Sequence, residues 1–295
     1  MGRECFIVYY RVGSDWGPLS SYPRRRREMG PYLKTVRARR VDLNLDLGEG
    51  FGPWSRDHDE DALTALATSV NLACGFHAGD PSRMRKAVDT AKRHGAAVGA
   101  HPGLPDLAGF GRRPMRLSPA EVNDCITYQI GALQGFAHAA GLELHHVKLH
   151  GELAIQCNGD DASARAYVAA VASFGGELPI YANRHSQVWT AADQLGVRAV
   201  AEFYADLPLY RDGRRVPPSE QHRYGRHPDA TPAFVRARVR VALETGSVDA
   251  FDGGRVAVQP GTISVHTDER STADIVRALL AGIEDAKVEL SADLS

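Results

Sequence analysis

From Val41 onward the chain alternates short apolar runs with helical stripes, and that alternation confines it to folds built on a parallel β-sheet covered by helices. Val41-Asp42-Leu43-Asn44-Leu45-Asp46-Leu47-Gly48-Glu49, Asn71-Leu72-Ala73-Cys74-Gly75-Phe76-His77-Ala78-Gly79-Asp80 and Val98-Gly99-Ala100-His101-Pro102 each end an apolar run in polar and small residues. Buried parallel strands read this way. The polar residues that follow them sit at the carboxyl edge of the sheet, where α/β proteins collect ligands. His145-His146-Val147-Lys148-Leu149-His150-Gly151 repeats the pattern.

Local signals place the helices. Residues 59–70 carry an apolar stripe at helical spacing, with a strand over 70–76. Asp80 before Pro81 predicts an N-cap and first helical residue for a helix over 81–94, closed by Gly95. A strand over 96–100 follows. Ser118-Pro119-Ala120-Glu121 is a capping box that opens a helix reaching about residue 140. Strands over 145–149, 179–181, 197–203 and 262–266 alternate with helices over 160–173, 186–195, 232–245 and 272–286. Residues 206–230, rich in Pro, Arg, Gly and His, read as a long loop of the kind that is functional or mobile. The order amounts to six or seven βα units, which a closed barrel and a doubly wound open sheet would both display.

At 295 residues and 43% hydrophobic, the chain has material for one large core, expected over 41–295. A net charge of -1 provides no global field for nucleic acid or an acidic membrane, so a small-molecule ligand is expected. Four dispersed cysteines fit a reducing cytoplasm, and Cys74 reads as a small buried hydrophobe. No apolar run approaches the roughly 18 residues of a membrane span. Residues 1–40, with Arg24-Arg25-Arg26-Arg27, are expected to be a disordered or loosely packed extension. Their charge follows the apolar patch at 5–10, the reverse of a secretory signal, and Met29 offers an alternative start.

Chemistry concentrates at the strand ends. Asn44 and Asp46 share a strand face, and Gly48 and Gly50 allow Glu49 to turn back toward it. His77 has small neighbours and Asp80 within reach to orient its ring, Pro102 holds the direction of His101, and His146 or His150 and His266 end further strands. An aspartate with two histidines holds a divalent metal, or serves as acid and base without one; both readings stand. Lys148 and the Gly109-Phe110-Gly111-Arg112-Arg113 loop suit an anionic group. The chain has neither a Walker phosphate loop nor a serine-hydrolase elbow.

These motifs, with Gly99-Ala100-His101-Pro102-Gly103-Leu104-Pro105-Asp106, Phe110-Gly111-Arg112, Tyr128-Gln129-Ile130-Gly131-Ala132-Leu133 and His146-Val147-Lys148, closely resemble the LamB/YcsF family. The resemblance implies an irregular (β/α) barrel of about seven strands, like that of the carbohydrate deacetylase and glycoside hydrolase group. It also implies a share, with B and C subunits, in ATP-dependent opening of the 5-oxoproline lactam to glutamate. Asp46, Glu49, His77, His101, Lys148, His150 and Asp206 fall on the family's motif positions and are the expected catalytic residues, with Asn44, Asn71, Arg112 and His266 as substrate-binding candidates. By analogy with the deacetylases, Asp46, His77 and His101 would be the metal ligands. Two alternatives remain: a metal-dependent amidohydrolase acting alone, and a non-catalytic member.

The second half departs from the family pattern. Lys-Pro-His-Gly-Ala-Leu-Tyr-Asn becomes Lys148-Leu149-His150-Gly151-Glu152-Leu153-Ala154-Ile155, and Glu-x-Phe-Ala-Asp-Arg becomes Glu202-Phe203-Tyr204-Ala205-Asp206-Leu207. Val-Pro-Arg is Val216-Pro217-Pro218, and His-Gly-Asp is His266-Thr267-Asp268. Losing an arginine and an amide from a small-anion site predicts altered specificity, since unpaired polar groups cost about 1 to 3 kcal/mol each. Arg211, Arg214 and Arg215 are the candidate replacement cations.

Overall fold

The computed structural model describes residues 9–12, 15–18, 40–54, 59–175, 177–216, 230–267 and 272–293, which divide between two compact units, Met1–Lys34 and Thr35–Ser295. In the first, β1 (Tyr9–Val12) and β2 (Asp15–Pro18) form an antiparallel ribbon with Tyr9 opposite Pro18. Apart from Arg40, which opens the next strand, the rest of the expected extension, its arginine run included, lies outside the described residues.

The second unit runs β3 (Arg40–Leu47), α1 (Glu60–Thr64), β4 (Ser69–Ala73), α2 (Pro81–His94), β5 (Ala97–His101), α3 (Pro119–Ala139), β6 (His146–Val147), α4 (Gly151–Gly159), α5 (Asp161–Ala172), β7 (Ile180–Ala182), α6 (Gln187–Leu195), β8 (Ala199–Tyr204), α7 (Pro232–Thr245), β9 (Ser247–Asp249), β10 (Arg255–Ala257), β11 (Thr262–Ser264), α8 (Thr272–Asp285) and β12 (Glu289–Leu290). Strands β3 through β8 pair in parallel in sequence order, and β11 pairs in parallel with both β8 and β3. Thr262 lies opposite both Asp42 and Glu202, so the sheet closes into a seven-stranded barrel and the open-sheet alternative falls. Outside this ring, β12 pairs with the first two residues of β3, and β9 with β10 makes a hairpin.

The alternation along β3 shows how the barrel is filled. Leu43, Leu45 and Leu47 belong to the buried apolar core, together with residues of the helices that cover the sheet. Asp42, Asn44 and Asp46, on the other face, meet polar side chains of neighbouring strands. The Asp42 carboxylate accepts from Thr68 Oγ1 (2.5 Å), Ser69 Oγ (2.8 Å) and Thr262 Oγ1 (2.7 Å). Asn71 Nδ2 donates to Asn44 Oδ1 (2.7 Å) and Asp46 Oδ1 (2.8 Å). Buried polar groups need hydrogen-bond partners, and these supply one another, so the interior is a connected polar network with the hydrophobic layer outside it.

His146 lies within that network, its Nε2 2.5 Å from Asn71 Oδ1, and Gly99 leaves the room its ring needs. Burial, the neighbouring His145 and the Lys148 charge hold its pKa well below the ordinary imidazole value. An unfolded chain takes up that proton near pH 6.5 while the folded one does not, so the stabilisation is present above that pH and lost below it. The expected loss for this residue is about 1.4 kcal/mol per pH unit, which His146→Gln removes. Denaturant unfolding from pH 7.5 to 5.5 measures it; an unaltered slope in the variant would refute the assignment.

Helices with strong caps match their expected spans. Asp80 caps α2 with Pro81 at its start and Gly95 (φ 69°) at its end, Ser118 and Glu121 form the capping box of α3, and Thr231 with Pro232 opens α7. Helix α1 is shorter than the 59–70 stripe, because Ala67 ends a turn and the chain enters β4 at Ser69. Helix α4 and the β9–β10 hairpin are unanticipated elements. Among the described residues no helix is long and apolar enough to cross a membrane.

Candidate active site

At the carboxyl ends of the strands, three turns bring the expected residues together. Gly48 (φ 70°) turns the chain after β3 and sends Glu49 back over the barrel mouth, where it is buried. The loop after β4 is stitched to this turn by Gly79 N–H donating to Gly50 O (2.8 Å), which sets His77 beside Glu49. His101 ends β5, and His150, just beyond β6, is the N-cap position of α4. The imidazoles of His77 and His150 stack with centroids 3.8 Å apart and planes within 3°, and His101 meets both edge-on. A Cβ on Gly103 or Gly111 would strike the His77 ring or its Cβ, so these two glycines permit the stack.

One donor atom from each of Glu49, His77, His101 and His150 lies within 4.8 Å of the others, and all four residues are buried. Glu49 Oε1 is 3.6 Å from His77 Nε2, 3.5 Å from His150 Nδ1 and 3.9 Å from His101 Nε2. His101 Nδ1 is 2.8 Å from Lys148 O, and His150 Nε2 is 2.8 Å from Phe110 O. Carbonyl oxygens only accept, so both outer nitrogens carry the proton and the inner ones, 3.1 Å apart, present lone pairs. Burial, reinforced by His77 and His101, holds the His150 pKa well below the ordinary value, so its ring is neutral at pH 7. Two inner imidazole nitrogens 3.1 Å apart beside a buried carboxylate suit a divalent cation, or a proton shared between His101 and His150.

The four-residue set differs from the expected ligand trio. Glu49 and His150 stand in the cluster with His77 and His101, whereas Asp46 sits beside it, Oδ2 3.5 Å from His101 Nε2. The other oxygen, Asp46 Oδ1, accepts from Lys148 Nζ (2.8 Å) and Asn71 Nδ2. Burial would raise its pKa, but His101 and Lys148 overcome that and hold the carboxyl far below the usual carboxylate range. Lys148 Nζ also contacts Glu202 Oε1 (2.8 Å), Asn44 Oδ1 (2.9 Å) and Ser264 Oγ (3.2 Å). Burial alone would discharge it, yet the Asp46 and Glu202 carboxylates hold its pKa well above the ordinary lysine value. Lys148 therefore keeps its charge at neutral pH, paired with both carboxylates.

In front of the cluster opens a cavity of about 320 Å³, whose wall includes Asp46, Glu49, His101 and His150. Of the other expected residues, Arg112 and His266 also line it. Asp206, fully buried, accepts from His266 N–H (3.0 Å) and orients the His266 ring (Nδ1 3.1 Å). Asp80 does not orient His77: its carboxylate accepts from the N–H groups of Gly52, Ser82 and Arg83. Arg113 of the basic loop is engaged with buried Asp106. Cys74 is buried and its thiol is pushed up to about 12 by that burial, consistent with a packing role. Arg211 pairs with Asp252 outside the cavity wall, whereas Arg214 and Arg215 line it.

Sequence reading passed over Glu202 and Tyr204. The signal existed in the period-two spacing of Glu202 and Tyr204 in β8 and Asp206 just beyond it, but the apolar residues around them read as an ordinary buried strand. Arg238, from α7, donates through Nη1 to the carbonyls of Ala205 (2.9 Å) and Leu207 (2.6 Å) and braces the backbone after β8 from outside.

The LamB/YcsF family model matches residues 41–294. A protein named as the A subunit of 5-oxoprolinase in one strain of Thermus thermophilus is 44% identical over 86% of this chain and 99% of its own length. One of the same name from Bordetella pertussis is 42% identical over 85% of this chain and 98% of its length. The crystal structure of a lactam utilization protein from a second strain of Thermus thermophilus superposes with a TM-score of 0.80 at 42% identity, covering 86% of this chain and 99% of that one.

Proposed function

The chain belongs to the LamB/YcsF family, and on that premise we propose that it is the A component of a 5-oxoprolinase that, with B and C subunits in the cytoplasm, opens the 5-oxoproline lactam to L-glutamate in a reaction driven by ATP. The observation that supports this reading is the pairing of a buried carboxylate–histidine cluster with an arginine-lined cavity of small-molecule size at the barrel mouth. Lactam opening adds a water oxygen to the carbonyl carbon, breaks the C–N bond and delivers a proton to the departing nitrogen. His101 is placed to take the water's proton at Nε2: its other nitrogen is held by the Lys148 carbonyl, and Asp46 Oδ2 at 3.5 Å stabilises the imidazolium that results. In this reading ATP is handled together with the partner proteins, since the chain has no phosphate loop of its own.

A second reading rests on the four-donor group. Glu49, His77, His101 and His150 would hold a divalent cation that, when bound, polarises the lactam or amide carbonyl as a Lewis acid. The two readings part in one experiment. Purified chain is assayed for glutamate release from 5-oxoproline alone, and with its B and C partners and ATP, with metal content measured in parallel. ATP- and partner-dependent release is the expected result. No release under any of these conditions would reject the lead reading, and turnover by the chain alone that chelators abolish would favour the second.

A further inference from the structure

Three arginines line the cavity, and their surroundings differ. Arg112 lies over the Phe110 ring at 5.1 Å. Arg214 is tied through Nε to Asp212 Oδ2 at 2.7 Å. Arg215 is half-buried, and its guanidinium carbon sits 4.7 Å from the centroid of the Tyr204 ring. Among the described residues no carboxylate pairs with it and no acceptor takes its side-chain N–H groups. A guanidinium held by an aromatic ring keeps its donor fork available for a planar bidentate acceptor.

We propose that Arg215 is the carboxylate anchor of this cavity, the residue that selects a small lactam bearing an acid group over a neutral one; the inference rests on the function proposed above and specifies its substrate class. The backbone fixes where Arg215 stands. Arg215 bridges Leu209 across an antiparallel turn closed by Tyr210 N–H donating to Arg214 O (2.9 Å), with Gly213 (φ 83°) at its bend. Leu207 lines the same cavity, so an arginine placed there would face the same space. Lys148 Nζ also lies 4.7 Å from the Tyr204 centroid. The two cations are therefore no farther apart than twice that distance. Asp46 and His101 line the same cavity as Arg215, so a carboxylate held by Arg215 keeps the rest of a small ring in the space that they wall, where the proposed chemistry occurs.

Calorimetry on the full chain tests the anchor without requiring turnover, so its result stands apart from that of the glutamate assay. The probes are 5-oxoproline and its uncharged counterpart 2-pyrrolidinone. Arg215→Met is expected to weaken 5-oxoproline by about tenfold or more while leaving 2-pyrrolidinone unchanged, and adding Leu207→Arg is expected to return part of the loss. Thermal melting of each variant separates loss of the anchor from loss of fold. Unchanged 5-oxoproline affinity in Arg215→Met, equal weakening of both probes, or no 5-oxoproline binding by the unsubstituted chain would overturn the proposal.

Discussion

Lys148→Met is expected to cost the fold about 3 to 5 kcal/mol, the range seen when one member of a buried ion pair is removed and its partners stay behind. Methionine fills much of the same space, so packing changes little and the effect is electrostatic. Asp46 and Glu202 would face each other across the barrel without the ammonium that now lies 2.8 Å from each. Against a typical total stability of about 5 to 15 kcal/mol, such a loss is large. Adding Glu202→Gln removes one of the stranded charges and should recover part of it. Denaturant unfolding of the single and double variants measures both effects. A single variant within about 0.5 kcal/mol of the parent would mean that the triad does not carry the charge balance described here.

Glu49→Gln should behave in the opposite manner, keeping the fold and losing the reaction. The carboxylate supplies the formal negative charge of the four-donor group and is buried with oxygen Oε1 between 3.5 and 3.9 Å from three imidazole nitrogens. An amide of the same shape removes that charge, so no ion is stranded and stability should hold. Turnover in the proposed reaction is expected to fall by about 10²- to 10⁴-fold, the usual span when acid–base catalysis is disabled, because Glu49 sets the charge beside the proposed base His101. Under the metal reading the same variant also loses divalent-ion binding, which titration of the chain reads directly. Steady-state kinetics beside a melting curve decide the matter: parental turnover in Glu49→Gln would remove this cluster from the chemistry.

Much of this site was legible in one dimension because a barrel strand presents its polar ends in order. Asp46, His77, His101 and His150 each lie at or shortly beyond the carboxyl end of a strand, and the closed sheet gathers such ends by geometry alone. The capped helices were legible for a related reason, since Asp80-Pro81 and Ser118-Pro119 satisfy their helix starts locally. Helix α4 has no such signal. Its N-cap, His150, makes no side-chain cap bond, and its first residue is Gly151 at φ 52°, so nothing local announces it. The exchange of Asp46 for Glu49 in the four-donor set had another origin: it depends on how far the Gly48 turn carries Glu49 back, and on Lys148 engaging Asp46 from another strand. Neither is a property of a single segment.

Ring closure between β3 and β11 also has a consequence for how the molecule comes into being. Asn44 Nδ2 donates to Thr262 Oγ1 at 2.7 Å, and Lys148 Nζ meets Ser264 Oγ, so the network beneath the site joins strands from opposite ends of the barrel sequence. A nascent chain that has not yet released residues 262–264 carries β3 with one unpaired edge and a charge triad lacking its last hydroxyl. Contacts of such long sequence separation form late, because loop-closure entropy must be overcome before they contribute. The polar network beneath the candidate site is thus completed only when β11 joins β3. Until then, both β3 and β8 offer open edges to which another unfinished chain can add.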